Sequence, residues 1–377
     1  MVKKKVERLG VETSLLGFGA MRLAVKGDGS IDYETNAEMV DKAVAGGVNY
    51  FDTAYVYHGQ KSEVFLGEAL VAKYPRDSFY VATKLPTFRV EKAEQMEEML
   101  DESLRRLRTD YIDFYLLHSM DLKAWNKMKS FGVVDLIDKA KKDGRIRRIG
   151  FSTHANAGEF KAILDDYPGW EFVQIQLNYA DWEMDPDIRK SYEIAEAAGI
   201  PVIIMEPIRG GSLSKPSSPA VMKLAELLPA GTLPAQTALR WAAERDAAFV
   251  ILSGMSAVAH VEENVRTFSP ITPLSSEERE AIGRTIEVLK SFPTIPCTSC
   301  GYCLDGCPVK IPIDYLFDGF NSCLYYDSGH NFVTWYPKEG SRPSDCTNCG
   351  ACASVCPQKI DIPRELKRVD ELYNELK

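Results

Sequence analysis

The sequence predicts an α/β protein, a (β/α)8 TIM barrel followed by a small, mostly helical domain. Two observations predict this division. Residues 1–290 alternate eight short apolar runs with amphipathic stretches, and eight strand–helix repeats over this length form a closed barrel. All nine cysteines lie in the rest of the chain, between Cys297 and Cys356. We therefore predict a barrel domain over residues 1–290 and a second domain over residues 291–377.

The eight predicted strands are short apolar runs. They are Leu15–Ala20, Val48–Asp52, Phe79–Lys84, Tyr111–His118, Arg148–Ser152, Phe172–Gln176, Pro201–Glu206 and Phe249–Ser253. Helical patterns lie between them, for example Asn36–Ala45, Ala93–Leu107 and Leu233–Glu244. An open, doubly wound sheet is the alternative, but no G-x-G-x-x-G follows the first strand, which argues against it.

Composition and charge exclude several classes of protein. The chain has 377 residues, 45% hydrophobic and 26% charged, as in ordinary globular proteins. Its net charge of −9 argues against a general nucleic-acid partner. No apolar run reaches the length of a membrane span, and the basic start Met1–Lys5 lacks the apolar stretch of a signal peptide. We expect a cytoplasmic protein, in which structural disulfides are rare.

Eight of the cysteines form two runs with the same spacing, C-x2-C-x2-C-x3-C-P. The first run is Cys297, Cys300, Cys303 and Cys307, and the second is Cys346, Cys349, Cys352 and Cys356. This is the bacterial ferredoxin spacing, in which three thiolates of a run hold one cluster and the fourth reaches the other. The runs therefore predict two [4Fe–4S] clusters.

Zinc is the alternative ligand for such cysteines. Zinc sites usually pair two C-x2-C segments that are distant in sequence, whereas each run here places three cysteines within seven residues. Disulfides are a third alternative. Cys323 lies outside both runs, and we expect it to be a small buried apolar residue.

Helix signals follow both cysteine runs. The segments Ile313–Phe317 and Pro363–Leu366 are typical of helix starts, and the pattern continues helically to Lys377. The connection between the runs is also long. In these features the segment resembles the α-helical ferredoxin domain of respiratory and heterodisulfide-reductase-type subunits more than the compact, β-rich ferredoxins.

Polar side chains stand at the ends of three consecutive predicted strands. Asp52 ends the second strand, Lys84 the third and His118 the fourth, and Tyr57 follows Asp52 by five residues. In a (β/α)8 barrel these ends meet at one mouth, where the chemistry of such barrels takes place. We expect the four side chains to converge there.

This set suits the reduction of a carbonyl, which needs a hydride donor and a proton donor. A tyrosine has an ordinary pKa of about 10, and a nearby ammonium such as that of Lys84 lowers the pKa of Tyr57. Asp52 can keep Lys84 charged, and His118 can donate a hydrogen bond to the substrate oxygen. Taken singly, each residue also has a structural explanation, such as an ion pair, packing or a core histidine.

The barrel segment resembles the aldo-keto reductase family. The matching segments run in the family's order: residues 49–59 (NYFDTAYVYHG), 82–84 (ATK), 116–118 (LLH), 149–153 (IGFST), 173–176 (VQIQ), 206–211 (EPIRGG) and 263–264 (EN). The resemblance implies reduction of an aldehyde or ketone by NAD(P)H, with Asp52, Tyr57, Lys84 and His118 as the catalytic tetrad. It implies cofactor contacts from Gly19, Met21, Asp52, Ser152, Thr153, Gln174, Met205, Pro207, Gly211, Gly254, Ser256, Glu263 and Asn264.

Two positions depart from the family pattern. Met205 stands where an aromatic residue commonly stacks under the nicotinamide. The loop Ser253–His260, which usually holds the 2′-phosphate of NADPH, contains no Lys or Arg, and His260 stands where the family often has Arg. The choice between NADH and NADPH therefore stays open.

Three functional hypotheses follow, because a hydride carries two electrons and each cluster exchanges one. The first is a carbonyl reductase that uses NAD(P)H and is coupled to the clusters. The second is an electron-transfer protein in which the barrel is a docking module. The third is a reductase that receives its electrons only through the clusters, without nicotinamide. The partners expected are a small carbonyl substrate and a redox protein of ferredoxin or flavodoxin type.

Overall fold

The structure is a computed structural model that describes residues 1–297, 301–337, 340–356 and 358–377. The chain separates into two compact units. The first comprises Met1–Gly210 and Ala235–Ser275, and the second comprises Gly211–Pro234 and Ser276–Lys377. The second unit therefore includes two segments that precede the cysteine-bearing part of the chain.

The first unit contains a closed barrel of eight parallel strands. Its strands are β3 (Leu16–Gly19), β4 (Tyr50–Asp52), β5 (Tyr80–Pro86), β6 (Ile112–His118), β7 (Ile146–Thr153), β8 (Phe172–Gln176), β9 (Val202–Met205) and β10 (Ala248–Ser253). Each of the eight predicted apolar runs overlaps one of these strands, and β5, β7 and β10 extend beyond their predicted runs. The predicted fold class is confirmed, and β10 closes the barrel by pairing with both β9 and β3.

The strand register places the predicted site residues at one end of the barrel. Asp52 pairs with Ala82, two residues before Lys84, and His118 pairs with Pro86 at the end of the neighbouring strand. Ser152 pairs with Gln174 between β7 and β8. Because all eight strands are parallel, these side chains belong to the carboxyl-terminal mouth, as expected.

A short antiparallel hairpin precedes the barrel. It consists of β1 (Lys3–Val6) and β2 (Val11–Ser14). Leu9 and Val11 are buried in one apolar cluster with Tyr50, Phe114 and other residues of the barrel interior. The hairpin was not predicted from the sequence, in which the first expected strand was Leu15–Ala20.

Helices separate the barrel strands. Those of the first unit are α1 (Tyr33–Ala45), α2 (Tyr57–Gln60), α3 (Ser62–Leu66), a π-helical turn (Gly67–Val71), α4 (Glu94–Leu107), α5 (Leu122–Ser130), α6 (Val133–Lys142), α7 (Ala157–Asp166), α8 (Tyr179–Met184), α9 (Pro186–Ala197), α11 (Pro234–Ala243) and α12 (Val258–Thr267). Side chains cap several of their N-termini; Asp32, for example, accepts a hydrogen bond from the Thr35 amide. The predicted helices around residues 36–45, 93–107 and 233–244 correspond to α1, α4 and α11.

The second unit is helical throughout its regular structure, as far as its residues are described. Its helices are α10 (Pro219–Leu227), α13 (Ser276–Lys290), α14 (Tyr302–Asp305), α15 (Ile313–Tyr326), α16 (Gly329–Trp335), α17 (Ala351–Ser354) and α18 (Ile362–Leu376). Helices α15 and α18 begin at the two predicted helix starts. Their apolar faces, with Phe317, Phe320 and Leu366, form a buried core together with several cysteines.

No helix in the described parts of the chain combines the length and the apolar character needed to cross a bilayer.

Candidate active site and cysteine-lined cavities

The structure brings together the four residues that were predicted to form the site. The ammonium of Lys84 donates hydrogen bonds to Asp52 Oδ1 at 2.6 Å and to the carbonyl of Thr53 at 2.7 Å. Its Nζ lies 5.1 Å from the centre of the Tyr57 ring. The Tyr57 and His118 rings meet edge to face, with their centres 5.8 Å apart. Four residues from separate chain segments therefore line one mouth.

The Lys84–Asp52 pair is buried, since the two side chains are 0% and 5% exposed. Burial is the largest single effect and would lower the pKa of Lys84, but the interactions with Asp52 and Tyr57 together outweigh it, so the pKa is raised and the ammonium stays charged. Burial raises the pKa of Asp52, and the charge of Lys84 opposes that rise. Lys84 has three N–H donors, and besides Asp52 and the Thr53 carbonyl it is hydrogen-bonded to Tyr57.

The pKa of Tyr57 differs from the sequence-based expectation. The charge of Lys84 acts in the expected direction and lowers the pKa. Burial is the larger effect, however, and the charge of Asp52 also acts against Lys84, so the pKa of Tyr57 is raised above its ordinary value. Tyr57 is therefore protonated at neutral pH, which is the form that a proton donor needs.

His118 is a neutral imidazole at neutral pH. Burial, followed by the charge of Lys84, lowers its pKa to about 3. Its buried Nδ1 has no hydrogen-bond partner within the described parts of the chain. A neutral imidazole can donate a hydrogen bond without adding a charge to the mouth.

The segment that carries Tyr57 has an unusual backbone. His58, Gly59 and Gln60 have φ angles of 49°, 61° and 72°, all in the left-handed region. His58 also connects this segment to the loop after β3, because its Nε2 accepts a hydrogen bond from the amide of Leu23 at 3.2 Å. The turn that follows Tyr57 is therefore strained at His58 and Gln60, which both carry side chains.

The residues predicted to hold the nicotinamide lie on β7, β8 and β9. Ser152 Oγ accepts a hydrogen bond from the Ser119 amide at 3.1 Å, and Thr153 donates to the carbonyl of Met120. Gln174 Nε2 makes a weak contact with the sulfur of Met205 at 3.5 Å. The Gln174 oxygen is buried, and no partner for it occurs among the described residues.

The remaining predicted cofactor contacts lie in loops at the ends of strands β3, β9 and β10. Gly19 ends β3, with Met21 two residues beyond and largely exposed. Asn264 of α12 donates to the hydroxyl of Ser253, which ends β10, and Ser256 bonds His260 through its amide. The other predicted contacts in these loops are Pro207, Gly211, Gly254 and Glu263.

Arg22 is a residue at this end of the barrel that the sequence analysis missed. A Cβ atom on Gly210 would lie 2.6 Å from Nη2 of Arg22, and one on Gly254 would lie 3.3 Å from its side chain. Arg22 therefore reaches from the loop after β3 to the loops after β9 and β10. Only the barrel closure between β10 and β3 makes it a neighbour of those loops, so no local sequence signal could have found it.

The cysteines of the second unit line two cavities. The first is lined by Cys297, Cys303 and Cys356. The second is lined by Cys346, Cys349, Cys352 and Cys307. The last cysteine of each run thus joins the cavity of the other run, as the ferredoxin spacing predicts. Cys300 lies outside the described residues.

The backbone supports this exchange of cysteines. Gly301 and Gly350 both have φ 74° and directly precede the short helices α14 and α17 within the two runs. The amide of Ile311 donates to the sulfur of Cys307 at 3.4 Å. Cys323 lies on α15, partly buried against the same core, and burial raises the pKa of its thiol to about 11. In the described residues, no three His, Cys, Asp or Glu side chains are spaced to hold a single metal ion.

The first unit is a closed parallel barrel with a buried Lys84–Asp52 pair at its mouth, and the second is a helical unit rich in cysteines. Together these features define a class of oxidoreductase. Residues 15–287 match the Aldo/keto reductase family, and residues 296–362 match the 4Fe-4S dicluster domain. The chain belongs to the aldo/keto reductase family and carries a ferredoxin-type 4Fe-4S domain at its C-terminal side.

Individual relatives agree with this assignment. The chain is 28% identical to L-galactose dehydrogenase of Arabidopsis thaliana over 286 aligned residues. The alignment covers 71% of this chain and 88% of that protein. It is 27% identical over 270 residues to 6-dehydroglucose reductase of Novosphingobium aromaticivorans, covering 67% and 86%.

Solved structures show the same barrel. The holo form of aldo-keto reductase AKR11C1 from Bacillus halodurans superposes with a TM-score of 0.63 at 26% identity, covering 76% of this chain and 96% of that one. An aldo-keto reductase from Klebsiella pneumoniae, solved in complex with NADPH, gives 0.59 at 24% identity, covering 75% and 95%. The latter likeness concerns the fold alone.

Proposed function

We propose that this protein reduces a small aldehyde or ketone, with Tyr57 as the proton donor and a bound NAD(P)H as the hydride donor. The observation that carries the proposal is the buried Lys84–Asp52 pair beside Tyr57 and His118 at the barrel mouth. A buried ion pair is a weak source of stability, because desolvation offsets its attraction. Its position at a barrel mouth, next to two proton-bearing rings, favours a catalytic role.

Each residue of the mouth has a distinct task in this proposal. Tyr57 is protonated at neutral pH and gives its proton to the carbonyl oxygen as negative charge develops there. Lys84 stabilises the phenolate that this transfer leaves, and Asp52 keeps Lys84 charged and fixed. Neutral His118 donates a hydrogen bond that orients the carbonyl oxygen.

A nicotinamide fits the residues on β7 and β8. Nicotinamide supplies a hydride when it is bound. The buried oxygen of Gln174, which has no partner among the described residues, suits the N–H donor of a carboxamide. The hydroxyl of Thr153 is already engaged, because it donates to Met120 and accepts from the amide of Ala155. Gln174 and Ser152 are therefore the stronger candidates for holding the carboxamide.

The phosphate end of the cofactor also has candidate residues. Arg22 lies against Gly210 and Gly254, and provides a positive charge that the loop Ser253–His260 lacks. The N-terminus of α12, at Val258, adds backbone N–H groups and the positive end of a helix dipole. These features favour phosphate binding without deciding between NADH and NADPH.

We further propose that the second unit holds two [4Fe–4S] clusters, each ligated by three cysteines of one run and the last cysteine of the other. Such clusters exchange single electrons. The observation that supports this is the pair of cavities lined by Cys297, Cys303 and Cys356 and by Cys346, Cys349, Cys352 and Cys307. Thiols are the donors that these clusters require, so the donor set fits. Cys300 completes the first set by its spacing.

The test is anaerobic turnover of a panel of small aldehydes and quinones with NADH, NADPH or reduced ferredoxin as the donor. Tyr57→Phe removes one hydroxyl and should lower carbonyl reduction by about 10²–10⁴-fold, the usual contribution of a general acid. Tyr33→Phe is the matched control, since Tyr33 lies on α1 and is 41% exposed. Equal rates for wild type and Tyr57→Phe would rule out the tyrosine as proton donor. Carbonyl reduction with reduced ferredoxin as the only electron donor would favour a reductase that receives its electrons only through the clusters.

A further inference from the structure

Arg106 of α4 contacts the chain on both sides of Tyr57. Its side chain is only 9% exposed. Nη2 donates to Gln60 Oε1 at 2.6 Å, and Nη1 lies 3.4 Å from the carbonyl oxygen of Tyr55. The guanidinium also stacks on the ring of Tyr55, with Cζ 4.2 Å from the ring centre. One side chain therefore anchors the residues two before and three after Tyr57.

The segment that Arg106 contacts needs such an anchor. His58 and Gln60 both have positive φ angles, 49° and 72°, although each carries a Cβ atom. Residues with side chains adopt this region at a cost in free energy, and the conformation persists only where surrounding contacts hold it. Gln60 gives its side-chain oxygen to Arg106, so the strained turn is fixed through this hydrogen bond.

A buried carboxylate extends the network to the strand that carries Lys84. The side chain of Glu63 is 0% exposed and accepts from Arg106 Nη1 at 3.2 Å. Its other oxygen accepts from the Thr83 hydroxyl at 2.7 Å. Thr83 directly precedes Lys84 on β5, so Glu63 joins the Tyr57 segment to the Lys84 strand through Arg106.

Two further contacts fix the position of Arg106, one to its side chain and one to its backbone. Glu102, one turn earlier on α4, accepts from Arg106 Nε at 2.7 Å. A Cβ atom on Gly67 would lie only 2.2 Å from the carbonyl oxygen of Arg106, so a glycine there permits the close approach of the two chain segments. The guanidinium thus has little freedom to move.

We propose that Arg106 is a positioning residue that holds the Tyr57 hydroxyl in line with the Lys84 ammonium. It acts through its contacts with the turn at 55–60 and with Glu63. This inference rests on the proposed role of Tyr57 as proton donor. If Arg106 is lost, proton transfer is disturbed while the residues proposed to hold the nicotinamide on β7, β8 and β9 keep their places.

The experiment compares Arg106→Gln with Arg105→Gln in the full-length, cluster-loaded protein. Arg105 is the matched control, because it is adjacent, 72% exposed and shares the carboxylate of Glu102. Arg106→Gln should lower kcat at least tenfold, since misplacement of a reacting group by about 1 Å can cost 10²-fold. The Kd for nucleotide should stay within twofold, Arg106→Lys should recover part of kcat, and Arg105→Gln should behave as wild type.

Two further variants keep the inference open to refutation. Arg106→Gln leaves Glu63 buried without its ion pair, which could itself affect the fold. Gln60→Ala instead removes only the contact between Arg106 and the turn, while the Arg106–Glu63 ion pair stays intact. Gln60→Ala should also lower kcat. In a Tyr57→Phe background, measured by single turnover, Arg106→Gln should cause no further loss, because the two residues act as one unit.

The outcomes separate the two proposals. A wild-type kcat in Gln60→Ala and in folded Arg106→Gln would overturn the positioning role. An undiminished effect of Arg106→Gln in the Tyr57→Phe background would overturn it as well, because Arg106 would then act elsewhere. If Tyr57→Phe itself kept the wild-type rate, the proposed function would fail first, and the positioning role would fail with it.

Discussion

Lys84 is the residue whose replacement tests the site most directly. In Lys84→Met the Asp52 carboxylate loses its ion pair while it remains buried, and its Oδ2 already has no partner among the described residues. Removing one partner of a buried pair costs about 3–5 kcal/mol of unfolding free energy. The thioether side chain fills a similar volume, so loss of packing contributes little. We therefore expect a large fall in stability in addition to a loss of activity.

The double variant Lys84→Met, Asp52→Asn separates the charge from the packing. Because the amide of Asn carries no charge, the double variant should regain most of the stability that Lys84→Met loses. Lys139→Met is the control, since Lys139 is 56% exposed and pairs with Glu97 at the surface. Its replacement should cost no more than about 1 kcal/mol.

The pH dependence gives an independent check of the same reasoning. Burial already raises the pKa of Asp52, and Lys84→Met removes the charge that opposes this rise. The folded state then binds a proton more tightly than the unfolded state, so the stability of Lys84→Met should increase as the pH falls through the raised pKa of Asp52. Urea denaturation at several pH values measures this. A Lys84→Met protein as stable as wild type at neutral pH would refute the buried, charged pair.

Three other predictions concern the rest of the molecule. Anaerobically purified protein should contain about eight irons and eight acid-labile sulfides per chain; Cys323→Ser should leave both unchanged, and zinc without sulfide would contradict the clusters. Since burial lowers the pKa of His118 to about 3, folding stability should fall from about pH 6.5 downwards by up to about 1.4 kcal/mol per pH unit, and urea denaturation of His118→Asn should show a smaller slope. If residues 1–290 form an independent domain, a chain ending at Pro293 should melt cooperatively in calorimetry, whereas a broad transition would argue against that boundary.

The elements of the barrel could be predicted from the sequence because each is marked locally. A strand that is buried on both faces consists of consecutive apolar residues, and each of the eight apolar runs overlaps a barrel strand. Asp52, Lys84 and His118 could be placed at the mouth because the strands are parallel and each residue stands at or near a strand end; Asp52 and His118 end β4 and β6, whereas β5 continues two residues past Lys84, to Pro86. The cysteine runs carry their spacing in the sequence itself, and this predicted the exchange of Cys307 and Cys356 between the cavities.

What only the tertiary structure decided is how strongly each group is buried and which distant residues meet. The pKa of Tyr57 is raised because burial outweighs the charge of Lys84, and burial is a property of the whole fold. Arg22 reaches the loops after β9 and β10 only through closure of the barrel, and Arg106 reaches Gln60 only through the packing of α4 against the turn after β4. Sequence patterns record the periodicity of one element at a time. Contacts between elements far apart in the chain arise from packing, which no single element encodes.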